Sequence, residues 1–494
     1  MAKVIMIQGT TSNAGKSLIT AALCRIFKED GYRVAPFKSQ NMALNSYITK
    51  DKLEMGRAQV MQAEAAGIEP DVRMNPILLK PMGNKGSQVI LNGKVLKDMT
   101  AQEYYEYKEE LIPHIMEAYN SLSDDYDIIV IEGAGSPAEI NLKEYDIVNM
   151  GLAKLVDAPV IIVGDIDRGG VFASLAGTML LFDDDEKSRV KGFVINKFRG
   201  DVDILKPGLD MFYDITKVDM LGVVPYLNVD IDDEDSLSQK LTNKYNVSLI
   251  DIGVIKLPHI SNFTDFNIFS LIKGVSLRYV SNTKELGNPD MIIIPGTKNT
   301  INDMKWLRQS GLETRIIKHA NEGKAVFGVC GGYQMLGESI NDPDNIEGGG
   351  NINGIGLLKT KTTFNHSKTT TQVRGNINSI SGLFKQLSDI EIWGYEIHMG
   401  NTEISEGEPL NNIGLKLEGC VCDNVAGSYI HGIFDNSKIA NTIVEILMKQ
   451  KGLNSDELVN FDLAEYKESQ YDILANSVRE AINIKKIYKI IGIL

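Results

Sequence analysis

Two short stretches of this chain carry residues whose types and spacing could do chemistry. Residues 324–337 read KAVFGVCGGYQMLG: an apolar run leads into Cys330, flanked by Gly328 and Gly332, and the helix-like YQMLGESI follows. Small flanking residues permit the sharp strand-to-helix turn that presents a nucleophile, and a helix N-terminus favours a thiolate. The N–H of Gly331 could help hold an oxyanion, with another donor from the PGT turn at 295–297 that contains Gly296. A cysteine nucleophile needs a base. Of the six histidines, His431 in GSYIHGIFD stands out, at the end of a strand-like run, and His398 in GYEIHMG is second.

The other stretch is GTTSNAGKS at 9–17, which follows a strand-like run and precedes the helix-like LITAALCRIFKEDG. In that setting backbone N–H groups of the loop and helix start converge on phosphate oxygens. Lys16 would reach the terminal phosphates and the Ser17 hydroxyl would bind Mg²⁺. The spacing departs from the common pattern: Gly9 and Gly15 enclose five residues, and Thr10 stands where a first glycine is usual. Glu132 in IEGAGSPAEI and Asp165 and Asp167 in VGDIDRGG end further strand-like runs. Ligands of open α/β sheets gather at such strand ends, where carboxylates hold Mg²⁺ directly or through water. Strand periodicity turns Asp165 and Asp167 the same way and does not choose between them.

These residues need rigid elements beneath them. Apolar runs rich in Val and Ile recur at 4–9, 127–133, 159–167, 190–197 and 220–226, separated by amphipathic stretches. Runs of that length read as strands buried on both faces, and the alternation predicts an α/β fold built on a doubly wound parallel sheet. The acidic stretch 228–248 breaks the rhythm and reads as a linker or exposed helix. A second strand series begins at 249–257, 290–297 and 324–332. The expected division is a nucleotide-binding domain over 1–245, a nucleophile-bearing domain over 250–445 and a C-terminal helical segment over 446–494.

Composition bounds the partners. The 494 residues are 43% hydrophobic and 23% charged, ordinary for a soluble globular chain, and the formal net charge of -14 argues against nucleic acid as a partner. The four cysteines have no metal-site spacing and are too few for a disulfide-stapled domain. The N-terminus lacks the pattern of a signal peptide, and no apolar run is long enough to span a membrane. The cytoplasm is the default expectation.

Together with the two stretches above, KSQNMALNS at 38–46, RAQVMQAEAAGIEP at 57–70, MNPILLKP at 74–81, EGAGSPAEINL at 132–142, DIDRGGVFAS at 165–174, INKFRGD at 195–201, PGTKNT at 295–300, YEIHMG and YIHGIFD give the chain a close resemblance to the cobyric acid synthases of cobalamin biosynthesis. The resemblance implies a P-loop domain similar in fold to dethiobiotin synthetase, followed by a triad-type class I glutamine amidotransferase domain. It implies amidation of the b, d, e and g carboxylates of adenosylcobyrinic acid a,c-diamide to adenosylcobyric acid. ATP, Mg²⁺ and L-glutamine would be used, with no tightly bound organic cofactor. Matched by motif, Cys330 is the nucleophile, His431 the base, Lys16 and Ser17 the phosphate-loop residues, and Asn196 an adenine contact. In the wider amidotransferase class a glutamate two residues after the histidine orients it. Here that position is Ile433, as the closer family also has no glutamate there, so what orients His431 stays open.

The implied chemistry is coherent. A carboxylate becomes reactive towards ammonia once phosphorylated, phosphoryl transfer chiefly needs positioning and charge neutralisation, and ammonia released inside a protein stays unprotonated. Three rivals share part of the pattern: the sister synthase that amidates the a and c carboxylates; a non-catalytic partitioning-type ATPase, which has no use for GVCGG or YIHGIF; and a glutaminase scaffold or binding module, which would not need Lys16. An anionic substrate would want local positive charge despite the acidic chain. Some of Arg57, Arg73, Lys80, Lys85, Arg168 and Arg199 are expected to form that basic rim. Oligomeric state is not legible.

Overall fold

The computed structural model describes residues 1–82, 86–231, 248–347, 349–454 and 461–494. They fall into two compact units: Met1–Ala43, Glu54–Glu234 and Lys467–Leu494 form the first, and Leu44–Leu53 with Asp235–Tyr466 the second. Most of the acidic stretch 228–248 lies outside the described residues.

The first unit is built on a six-stranded sheet. In spatial order its strands are Met220–Pro225, Val190–Phe198, Val160–Asp165, Lys3–Gly9, Ile128–Glu132 and Val34–Phe37, all paired in parallel. Every residue of the strands IIVIE and VIIVGD is buried, as expected of strands covered on both faces. The order doubles back around the first strand, so Gly9, Glu132 and Asp165 end three neighbouring strands. A four-stranded side sheet joins Gln40–Met42, Ile77–Met82, Gly86–Leu91 and Lys94–Thr100.

The chain's end completes this unit. Tyr471, Leu474, Ala475 and Val478 recur at helical spacing and are buried in the same core as Leu23, Ile26 and Phe27 of the helix Lys16–Glu29. Arg25 pairs with Glu468 and Asp472, and Arg479 with Glu29 and Asp30. The division expected from sequence therefore changes in two places. Residues from Lys467 on are part of the nucleotide-binding unit, because an amphipathic helix buries its stripe where a face is open. Residues Leu44–Leu53 leave that unit for the other.

The second unit has its own six-stranded sheet, ordered Val275–Val280, Ile250–Ile255, Met291–Ile294, Ala325–Val329, Val425–Ser428 and Cys420–Cys422. The first five strands pair in parallel and the last is antiparallel. A second sheet is dominated by the long antiparallel pair Lys359–Ile377 and Glu391–Glu406, with Ile430–His431 on the outer edge of the latter. Among the described residues no helix is long and apolar enough to cross a membrane. All four cysteines are free.

Candidate active sites

The loop after Lys3–Gly9 turns into the helix Lys16–Glu29 at Gly15, whose φ of 99° is left-handed. Asn196 enforces the glycine: a Cβ there would lie 2.0 Å from Asn196 Nδ2, which itself donates to Ala14 O at 2.9 Å. Asn196 thus buttresses the loop. With glycine at the N-cap, the helix start carries no side-chain cap from that residue. Lys16 folds over the loop, its ammonium donating to Thr11 O and Gly135 O. The Thr10 amide is instead spent on Val163 O at 3.0 Å, which continues the sheet and takes that N–H away from any phosphate.

Glu132 is 1% exposed and fully engaged. Its Oε1 accepts from Ser17 Oγ at 2.8 Å and Lys38 Nζ at 3.0 Å, and its Oε2 from Gln62 Nε2 at 2.5 Å. The Lys38–Glu132 ion pair is almost wholly buried. Sequence reading had Lys38 and Gln62 inside its motifs without a role, because spacing alone does not say which strand end a lysine two elements away will face.

Asp165 and Asp167 part company. The strand stops at Asp165, so the period of two never reaches Asp167. Asp165 accepts from Lys197 Nζ at 2.9 Å, and that ammonium also donates to Asn13 O in the phosphate loop. Asp167 pairs outward with Arg199, whose guanidinium lies 3.5 Å over the Tyr226 ring. Of the two, Asp165 is the carboxylate linked to the loop, through Lys197.

The expected basic rim is largely neutralised. Arg73 pairs with Asp71 and Asp125 and Lys80 with buried Glu54, while Arg57 reaches Glu64 only at 3.9 Å. Arg168 reaches Asp165 only at 3.9 Å, and Lys85 lies outside the described residues. Buried cations must be paired, and the acidic composition supplies the partners.

In the second unit Cys330 ends the strand Ala325–Val329 and starts the helix Gly331–Leu336, with φ 51° and ψ -110°. Both neighbouring glycines are obligatory. A Cβ on Gly332 would fall 1.9 Å from Ile294 O, and one on Gly328 2.7 Å from Gly332 O. The Cys330 amide donates to Ser428 O, and its thiol approaches Ile397 O at 3.7 Å.

His431, 2% exposed, interacts electrostatically with Cys330 and is hydrogen-bonded through Nδ1 to Asp265 Oδ2 at 2.6 Å. Burial works against a charged ring, but the Asp265 carboxylate and the Cys330 sulfur outweigh it and raise the His431 pKa to about 10. The result is a buried Cys330–His431–Asp265 chain. Sequence left the orienting group open and did not find Asp265. It lies 166 residues before the histidine, on a short turn with no motif around it. Gly296 and Gly331 are drawn to the same place. A Cβ on Gly296 would be 3.0 Å from His431 Cε1, and one on Gly331 3.1 Å from Thr297 N. The second histidine candidate behaves differently: burial pushes the His398 pKa down to about 4, and the ring stacks on Tyr429 at 3.7 Å. No group of three or more His, Cys, Asp or Glu placed to hold a metal occurs among the described residues.

A phosphate loop on one parallel sheet and a cysteine elbow on another define a class: a glutamine-dependent amidotransferase joined to a nucleotide-binding domain. Residues 251–439 match the CobB/CobQ-like glutamine amidotransferase domain, and residues 5–238 the CobQ/CobB/MinD/ParA nucleotide binding domain. The cobyric acid synthase of Ruminiclostridium cellulolyticum is 62% identical over 99% of this chain and 97% of its own. Those of Lachnoclostridium phytofermentans and Clostridium botulinum are 55% and 53% identical over nearly the whole of both chains. The chain belongs to the cobyric acid synthase family.

Proposed function

We propose that the protein amidates the b, d, e and g carboxylates of adenosylcobyrinic acid a,c-diamide, using ATP to form acyl phosphates and glutamine to supply ammonia. The observation that carries this reading is the buried Cys330–His431–Asp265 chain in the same polypeptide as the Lys16 phosphate loop.

In the amidotransferase unit the Cys330 sulfur attacks the glutamine carboxamide carbon. The N–H of Gly331 and the Gly296–Thr297 turn face the developing oxyanion. The His431 imidazolium passes its proton to the leaving nitrogen, which departs as ammonia and leaves a thioester. Neutral His431 then takes a proton from water as that water attacks the thioester, and glutamate is released with the thiolate restored. Asp265 keeps Nδ1 protonated and Nε2 facing sulfur throughout.

In the nucleotide-binding unit, Lys16 and the helix start hold the ATP phosphates, Asn196 holds the loop's shape, and Lys38 and Gln62 fix Glu132. Ser17 Oγ and Glu132 Oε1, 2.8 Å apart, are the hard oxygen donors that Mg²⁺ takes, so the residues present fit that ion, with Asp165 at the next strand end tied to the loop through Lys197. Mg²⁺ bound there would neutralise charge on the transferring phosphoryl group. The corrinoid carboxylate attacks the terminal phosphorus, ADP leaves, and ammonia displaces phosphate from the acyl phosphate to give the amide.

The test is mass spectrometry of the corrinoid product with ATP and glutamine. Four amides gained by the a,c-diamide is the expected result. No gain on that substrate, with amidation of cobyrinic acid itself, would assign the chain to the sister reaction.

A further inference from the structure

Asp265 accounts for one edge of the His431 ring, but an imidazole held at one atom can still swing about that bond. Its face is held by Tyr395, whose ring lies parallel to it within 22° at a centroid distance of 5.4 Å. The two residues are register partners on adjacent strands.

The Tyr395 hydroxyl is buried and doubly bonded. It donates to Ser46 O at 2.8 Å, 349 residues away in sequence, and accepts from Asn262 Nδ2 at 3.2 Å. Asn262 Oδ1 in turn accepts from Ser46 N at 3.0 Å. The Ser46 peptide therefore closes a ring of hydrogen bonds with Asn262 and Tyr395. Further along the same segment, Gln372 Nε2 donates to Ile48 O and Tyr47 OH, and the Tyr47 ring meets Tyr395 edge-on at 5.3 Å.

Asn262 also starts the turn that carries Asp265. It is 3% exposed, has φ 51°, and its carbonyl accepts from the Asp265 amide at 3.1 Å. Asparagine tolerates this left-handed conformation better than most residues. Asp265 at the edge of His431 and Tyr395 on its face are thus both tied to one asparagine and one peptide. A side chain that merely filled this space could be phenylalanine, with no buried hydroxyl to satisfy.

We infer that Tyr395 is a positioning residue for His431, and that the segment Leu44–Leu53 fixes both orienting groups through the Ser46 peptide and Asn262. This rests on the reading of Cys330 and His431 as the glutamine-hydrolysing pair. It also gives a role to the excursion of Leu44–Leu53 out of the unit that its sequence neighbours build.

The test uses the full-length chain and three variants. Tyr395→Phe keeps the stacked ring but loses both hydrogen bonds. Asn262→Gly keeps the left-handed backbone free of strain but loses the side chain. Asn262→Asp keeps the acceptor for Ser46 N and loses the donor to Tyr395. Glutamate release with ATP and corrinoid present is followed against glutamine concentration. Amidation from ammonium salt is measured alongside. Tyr395→Phe should lower kcat about tenfold, the net worth of one such hydrogen bond expressed as a rate, with the glutamine KM within about twofold. Asn262→Gly should lose at least as much, and Asn262→Asp should fall between it and wild type. Wild-type kcat in both Tyr395→Phe and Asn262→Gly would overturn the inference. So would losses confined to KM, or equal losses with ammonium salt, which would mark a purely structural effect. Failure of the underlying reading shows separately, as glutamine turnover that survives Cys330→Ser.

Discussion

Replacing Asp265 by asparagine removes a charge from the glutaminase site while keeping its shape. In the folded protein the His431 pKa rises from 6.5 to about 10, which at 1.36 kcal/mol per unit is about 5 kcal/mol in favour of the imidazolium. Burial opposes that charge, so Asp265 and the Cys330 sulfur supply more than the net figure between them. The Nδ1–Oδ2 bond of 2.6 Å is a buried charge-assisted hydrogen bond, a kind worth about 1.5–3 kcal/mol net. Asp265→Asn should therefore lower kcat for glutamine hydrolysis by about 10- to 150-fold.

The pH dependence follows with a definite sign. The folded pKa is raised, so the imidazolium's contribution is complete below pH 6.5 and is lost as pH rises towards about 10. The titratable groups that interact with the ring are Asp265, Cys330 and His398, and Tyr395 stacks on its face. Without the Asp265 charge the alkaline limb of glutamine hydrolysis should move to lower pH. Glutamate release measured between about pH 6 and 10, with ammonium-driven amidation as the control for folding, checks both effects. Wild-type kcat with an unmoved alkaline limb would refute the role given to Asp265.

Three further outcomes are expected. Lys16→Ala should abolish amidation from glutamine and from ammonium salt alike, since both need the acyl phosphate; product formation near the wild-type rate would remove Lys16 from the phosphate site. Cys330→Ser should eliminate glutamine-driven synthesis and leave ammonium-driven synthesis largely intact, measured as amide formed from each nitrogen source. Leu474→Ala, at a fully buried position of the C-terminal helix, should destabilise the nucleotide-binding unit by about 2–5 kcal/mol in denaturant unfolding; a change below about 0.5 kcal/mol would mean that the helix does not complete that core.

Much of this was legible in the sequence, where chemistry and local backbone coincide. The elbow at Cys330 is written as GVCGG because the backbone there leaves no room for a Cβ at Gly328 or Gly332. The phosphate loop is written as AGKS because Gly15 must be left-handed beneath Asn196. Buried parallel strands announce themselves as unbroken Val and Ile runs. In each case one short window holds both the constraint and its consequence.

The unread parts are contacts between windows. Asp265 sits in SNFTDFN, a turn whose composition fits any solvent-facing loop, and only the fold brings it to His431. The expected glutamate two residues after the histidine is replaced by Ile433, which is 1% exposed and packs in the core. The carboxylate bonded to the ring comes instead from Asp265, on a different element. Tyr395 and Ser46 illustrate the same point more sharply. YEIHMG and KSQNMALNS were each conspicuous, yet nothing in either states that the tyrosine of one bonds the peptide of the other across 349 residues. A side chain's type shows what chemistry it can do. Which partner makes it do so is settled by long-range packing, and the orienting groups of a buried histidine belong to that second kind of information.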